Sequence, residues 1–385
     1  MNFDFIKEYQ SFLGNDYRIY FSPGRINLIG EHIDYLGGKV FPMAISLGTY
    51  AVVSKRDDNE VHMISHNFPE QGKVIVSLDD LDYKENDGWA NFFKGMFKTY
   101  KHKGLKYPFG LNILVYGTLP YSSGLSSSAS IELLAGIVIK DIYKQDIKNI
   151  DLVLDAKDVE NNYIGVACGI MDQFAIGMAE KDKAIYLDTV TLDYQQVPLE
   201  LKDYVLLIAN SKVKRALADS KYNERVNECE KAKAIINDHD FDIKDLCDLD
   251  YKDLENVKTF LDEILFNRVL HAVSENIRTK TAYDSLNSHD LESFGQLLYE
   301  SHQSLKDLYE VSCFELDTLV SAFKKHGAIG ARMTGAGFGG CVIALCHKDD
   351  IEEIKKEVSK DYLKATDIKT DIYAVKASGG PRRIK

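Results

Sequence analysis

One stretch constrains the fold of this chain more than any other. Residues 111–116 read LNILVY, a run of strand formers, and the breakers of residues 117–123 follow at once. Then comes SSSASIELLAGIVIKDIY from Ser126, with Ile131, Leu134, Ile137 and Val138 at helical spacing. The serines at its front are favoured N-caps, so the order strand, Gly/Ser loop, helix is predicted here. Further along, residues 205–209 read as a buried strand and 220–236 as a charged amphipathic helix. Residues 237–253 read as polar surface, 318–326 as a helix, and 341–345 as a strand after a glycine-dense loop. Strands and helices mix without the regular alternation of a doubly wound sheet, which predicts the α+β class.

A length of 385 residues is long for one core and predicts two domains, placed at 1–195 and 196–385 with the boundary inside 188–199. The 45% hydrophobic and 28% charged content supports a sizeable buried core. A formal charge of -12 argues against a nucleic-acid or anionic-membrane partner, since both favour a basic footprint. The six cysteines form no C-x-x-C pair, the pattern of free thiols in a reducing compartment. The N-terminus lacks a basic-then-apolar leader, and no apolar run is long enough to span a bilayer. A cytoplasmic protein is the expectation.

Four segments carry chemistry. The first, SPGRINLIGEHIDYLGGKVFP (residues 22–42), packs Arg25, Glu31, His32 and Asp34 among glycines, hydrogen-bonding groups on a turn that suit a polyhydroxylated ligand. In the second, PYSSGLSSSAS (residues 120–130), a helix N-terminus offers unpaired N–H groups to phosphate. No Walker A loop occurs anywhere in the chain. The third, ENNYIGVACGIMDQF (residues 160–174), brackets an apolar stretch with Glu160 and Asp172, candidates for desolvated functional carboxylates. The fourth, GAIGARMTGAGFGG (residues 327–340), contains a formal G-x-G-x-x-G. A helix is predicted before it and a strand after it, the reverse of a dinucleotide fingerprint. Its glycines suit close approach of backbone to a ligand or another segment.

Taken together, these segments resemble the GHMP kinases, and within them the galactokinase family. GRINLIGEHIDYLGGKVFP is similar to that family's N-terminal signature, and LPYSSGLSSSAS to the superfamily's phosphate loop. CGIMDQF is similar to the catalytic-aspartate segment and GARMTGAGFGGC to the third motif. DSKYNER (219–225), RVLHAVSENIRT (268–279) and SHQSLKDLYEVSCFELD (301–317) extend the resemblance from near residue 20 to near residue 346. The family pattern usually has glycine where this chain has Ser122 and asparagine where it has Leu36.

The resemblance implies a two-domain α+β GHMP kinase architecture with its active site in the interdomain cleft. It places Arg25 and Asp172 at the reacting hydroxyl, and Glu31, His32, Ile33, Asp34, Gly169 and Tyr222 on the sugar. It wraps Ser122, Ser123, Gly124, Leu125, Ser126, Ser127 and Ser128 around the phosphates of ATP, and gives Mg²⁺ Ser128 and Glu160 as ligands. The implied reaction is ATP-dependent phosphorylation of galactose at its anomeric hydroxyl by a monomeric cytoplasmic enzyme. Two alternatives stay open: a kinase for a related sugar such as N-acetylgalactosamine, and a galactose-sensing regulatory homologue.

Overall fold

The strand β1 (Arg18–Asn27) is buried along almost its whole length, as its apolar Ile19, Tyr20, Phe21 and Ile26 require. It pairs antiparallel with β3 (Pro42–Lys55), and the register shifts between Pro23 and Arg25. Pro23 has no N–H to give to the ladder, and a bulge bends the strand and re-aims the side chains beyond it. A Cβ at Gly24 would lie 2.6 Å from the Leu125 carbonyl oxygen, so the bulge is also where another segment comes in close. The computed structural model describes residues 3–120, 123–166, 168–213 and 218–385, without the side chains of residues 218 and 219.

The other strands are β2 (Lys39–Val40), β4 (Glu60–Ser65), β5 (Lys73–Ser77), β6 (Leu111–Gly117), β7 (Lys183–Asp188), β8 (Tyr194–Pro198) and β9 (Tyr204–Asn210). They are followed by β10 (Gly330–Thr334), β11 (Cys341–His347), β12 (Asp371–Val375) and β13 (Arg382–Arg383). One sheet runs β13-β1-β3-β6-β4-β5, a second β10-β11-β9-β12, and a small third β2-β7-β8. Among the described residues only the β4–β6 pair is parallel, and the helix Ala90–His102 lies within its crossover. The helix Ser127–Ile142 packs Leu133, Leu134, Val138 and Ile139, all fully buried, into the main core that backs the first sheet. Each such side chain contributes about 1.5–3 kcal/mol on burial.

The helices Leu291–Asp307, Phe314–Lys325 and Ile351–Thr366 pack on the second sheet, and Glu263–Asn287 packs against Leu291–Asp307. After β12 the chain crosses back: Ser46 donates its N–H to the Lys376 carbonyl, Ser378 donates to Ala44, and β13 then joins β1. The C-terminal tail thus binds the first sheet. Two sequence expectations need correction. Residues 330–334, read as part of a glycine loop, form β10, because Ala331 and Met333 supply an apolar face that the second sheet buries. The glycine run therefore closes a β10–β11 hairpin. The region 237–253, read as surface, buries Leu246 and Leu249 in the main core. No helix among the described residues is long and apolar enough to cross a membrane.

Candidate functional site

The bulge in β1 turns Arg25 toward the start of the helix Ser127–Ile142. Its Nε and one terminal nitrogen donate to the two carboxylate oxygens of Asp172, at 2.7 and 2.8 Å, and its other terminal nitrogen donates to the Gly124 carbonyl at 2.7 Å. A bidentate arginine–carboxylate pair fixes both groups in one plane. The Arg25 N–H also reaches the Leu125 carbonyl at 3.2 Å, so the loop hangs from one residue. Ser126 occupies the N-cap with φ of 59°, but its hydroxyl donates to Asp172 instead of capping the helix. The expected serine cap is not made: a capping residue is extended, whereas Ser126 is in the left-handed region. The first-turn N–H groups are left without a side-chain cap. Ser123 is buried with its hydroxyl on the Pro120 carbonyl, Leu125 is buried, Ser127 is exposed and Ser128 half-buried. Ser122 lies outside the described residues.

Next to this pair opens a cavity of about 190 Å³. Arg25, Glu31, His32, Asp34, Asp172 and Tyr222 are among its lining residues, with backbone from Gly169, Gly335 and Ala336. Glu31 is nearly fully buried; one oxygen accepts from Arg332 at 2.7 Å and the other from the Gly335 N–H at 3.0 Å. Burial raises its pKa, opposed by Arg332 and Arg25. His32 donates Nε2–H to the Ala336 carbonyl at 3.2 Å, a tautomer that a carbonyl acceptor demands, so Nδ1 accepts from the Tyr35 hydroxyl at 2.9 Å. Burial pushes its pKa down to about 3, so the ring is neutral. Asp34 has its pKa raised to about 7 by burial and by the charges of Asp172 and Glu31. Among the described residues no cation is ion-paired to it. A Cβ at position 169 would sit 2.3 Å from an Asp34 oxygen, which is why glycine stands there. The Tyr222 ring lies 5.7 Å from His32 and 5.3 Å from Tyr35. Ile33 does not join them: its side chain is fully buried against Gly38, leaving only its backbone near the turn.

Ser128 and Glu160 are brought together: burial raises the pKa of the glutamate, and the serine hydroxyl lowers it. Glu160 lies in the first part of a π-helical turn, Val159–Ile164, that continues the helix Asn149–Asp158. Gln173 donates to Glu160 at 2.5 Å. Glu132, behind them, is fully buried, and burial with the Glu160 charge raises its pKa to about 9. The Cys168 thiol, 3.6 Å from Glu160, has its pKa raised by burial and the same charge, and sulfur is a soft donor that Mg²⁺ does not favour. What remains is a hydroxyl and a carboxylate, both hard oxygen donors, beside mutually repelling acids. That donor set fits Mg²⁺.

Sequence reasoning assigned no role to Glu275, His271, Ser301 or Arg332, all fully buried around the Glu31 turn. The first two lie in RVLHAVSENIRT at positions four apart, which puts them on one face of one helix. Buried polar residues on a shared face were the available signal.

Residues 4–55 match the galactokinase galactose-binding signature, 91–180 the GHMP kinases N terminal domain, and 282–365 the GHMP kinases C terminal model. A galactokinase of Fusobacterium nucleatum is 46% identical over 368 residues, covering 95% of this chain and 95% of its own length. One of Enterococcus faecalis is 48% identical over 367 residues with the same coverage. The chain belongs to the galactokinase family of GHMP kinases. Among solved structures, Lactococcus lactis galactokinase complexed with galactose matches it at 43% identity with a TM-score of 0.92, over 98% of each chain. Methanococcus jannaschii mevalonate kinase, at 22% identity and a TM-score of 0.68, covers 95% of this chain and 100% of its own, and shares the fold alone. The two-domain α+β architecture of GHMP kinases is the one expected, and in this galactokinase-family member the cavity draws its lining from both halves of the chain.

Proposed function

We infer that this enzyme transfers the γ-phosphoryl group of ATP to the anomeric hydroxyl of α-D-galactose, giving galactose 1-phosphate and ADP, the first committed step of galactose catabolism. The observation that carries this reading is the Arg25–Asp172 pair, which stands between a cavity of sugar-binding character and an uncapped helix N-terminus. The same reading makes it a cytoplasmic monomer with Mg²⁺ as its metal and neither nucleic acid nor membrane as partner.

Phosphoryl transfer asks a protein mainly for positioning and for stabilisation of charge spread over the phosphoryl oxygens. Asp34, Glu31 and Tyr222 bind the sugar hydroxyls, with His32 and the bare edge of Gly169 shaping the wall. Asp172 takes the proton of the anomeric hydroxyl as its oxygen bonds to the γ-phosphorus and the bond to the ADP oxygen breaks. Arg25 holds that carboxylate in place and supplies positive charge next to the reacting oxygen. Residues 122–128 offer backbone N–H groups and hydroxyls to the triphosphate. Ser128 and Glu160 would hold Mg²⁺, which when bound neutralises charge between the β- and γ-phosphates.

The test is ADP release measured across galactose, glucose, galactosamine, N-acetylgalactosamine, mevalonate and homoserine. Turnover with galactose well above all others is expected. Preference for N-acetylgalactosamine, or no turnover with any sugar, would overturn the assignment.

A further inference from the structure

Every polar group of Glu31 is held by the C-terminal half of the chain. Its N–H donates to Glu275 Oε1 at 3.2 Å, and its carbonyl accepts from His271 Nε2–H at 3.2 Å. Its two carboxylate oxygens take Arg332 and the Gly335 N–H. The Gly30 N–H donates to the same Glu275 oxygen at 3.0 Å, and Ser301 adds its hydroxyl there at 2.6 Å. Arg278 occupies the other Glu275 oxygen at 2.8 Å, and Ser304 donates to His271 Nδ1 at 2.8 Å.

The turn needs such anchors. Gly30 has φ of 91° and His32 of 61°, so left-handed residues flank Glu31 on both sides. A Cβ at Gly30 would lie 3.0 Å from Thr279 Oγ1, which packs the turn directly against the helix Glu263–Asn287. A carboxylate with only acceptor atoms suits the two adjacent N–H groups, and Glu275 stays ionised: burial opposes its charge, but Arg278, Arg332 and the Ser301 hydroxyl hold its pKa at about 2. Burial lowers the pKa of His271 to about 4, leaving the neutral tautomer with Nε2–H toward Glu31.

We propose that Glu275, assisted by His271, is a positioning residue for sugar recognition: it locks the Gly30–Glu31 backbone so that the Glu31 carboxylate meets the sugar in one orientation. The proposal rests on the reading of the cavity as the galactose site. It assigns to the C-terminal helices a share in sugar affinity that the nucleotide does not feel.

Galactose binding by calorimetry, without nucleotide or metal, tests it on Glu275→Gln, Ser301→Ala and Asp34→Ala, each checked for its unfolding transition. In Glu275→Gln an amide N–H₂ must oppose either the Arg278 donor or the two backbone N–H groups. Galactose Kd is expected to rise about tenfold, the equivalent of about 1.4 kcal/mol. Ser301→Ala, which deletes one donor with little change of volume, is expected to move Kd the same way by about threefold. The KM for ATP stays within about twofold of wild type in both. If Asp34→Ala leaves galactose affinity unchanged, the cavity is not the sugar site and the proposal falls with that reading. If Asp34→Ala weakens binding while folded Glu275→Gln and Ser301→Ala bind as wild type, the clamp alone is overturned. Equal losses toward galactose and ATP also overturn it, since they mark a general structural defect. Should Glu275→Gln not fold, Ser301→Ala decides the matter alone.

Discussion

Asp34 lines the cavity beside two other carboxylates, Glu31 and Asp172. Its carboxyl is raised to about 7 by burial and by Asp172 and Glu31 nearby, and in the proposed sugar-binding role it acts best ionised, as an acceptor of two hydroxyls. Protonation then competes with galactose: between pH 8 and 6 the galactose Kd is expected to rise, approaching about tenfold per pH unit below 7. Calorimetry in wild type and Asp34→Asn checks this, and a wild-type Kd flat over that range would contradict it. The stability linkage has the opposite sense to that of a salt-bridged aspartate. The folded chain holds this proton up to about pH 7, the unfolded chain only to the ordinary value of 3.8, so the group costs stability as pH rises between them. The Tm advantage of Asp34→Asn should therefore grow from pH 4 to 7 and level off above. Spacing in the sequence had marked Arg25, Glu31, His32 and Asp34 as one turn. It could not reveal that Ile33 points into the core, nor that Glu31 is held by Arg332 from a position 301 residues away.

At the scale of elements, the strand–loop–helix order of residues 111–142 was legible because the change of hydrophobic period is local. The use of Ser126 was not, since its hydroxyl answers to Asp172, which arrives from another helix. β10 was hidden for a similar reason: its burial comes from neighbours that only the fold supplies, and glycines on its flanks gave the stronger local signal. The π-turn at Val159–Ile164 forms the last turn of a helix and brings Glu160 near Ser128, and such turns are frequent at functional sites. If this pair holds the metal, Glu160→Gln should shift the activation curve to higher free Mg²⁺ and lower turnover, with galactose Kd little changed. Coincident wild-type and Glu160→Gln curves at saturating ATP and galactose would remove Glu160 from the metal site.

At the scale of the whole molecule, the site exists only where the two halves meet. The N-terminal segments bring Arg25, Asp34 and Asp172, the C-terminal ones bring Tyr222, Gly335 and the clamp on Glu31, and the returning tail joins β1, the strand that carries Arg25. Motif order along the chain announced the architecture, whereas the contacts between halves had no local signature to read. All of this arrangement converges on one carboxylate. Asp172→Asn keeps the shape of the side chain and removes its charge, so turnover with galactose and ATP is the most direct measurement. The account predicts a fall of about 10²–10⁴-fold with folding and the affinities for galactose and ATP retained. Turnover near the wild-type rate in a correctly folded Asp172→Asn enzyme would contradict it.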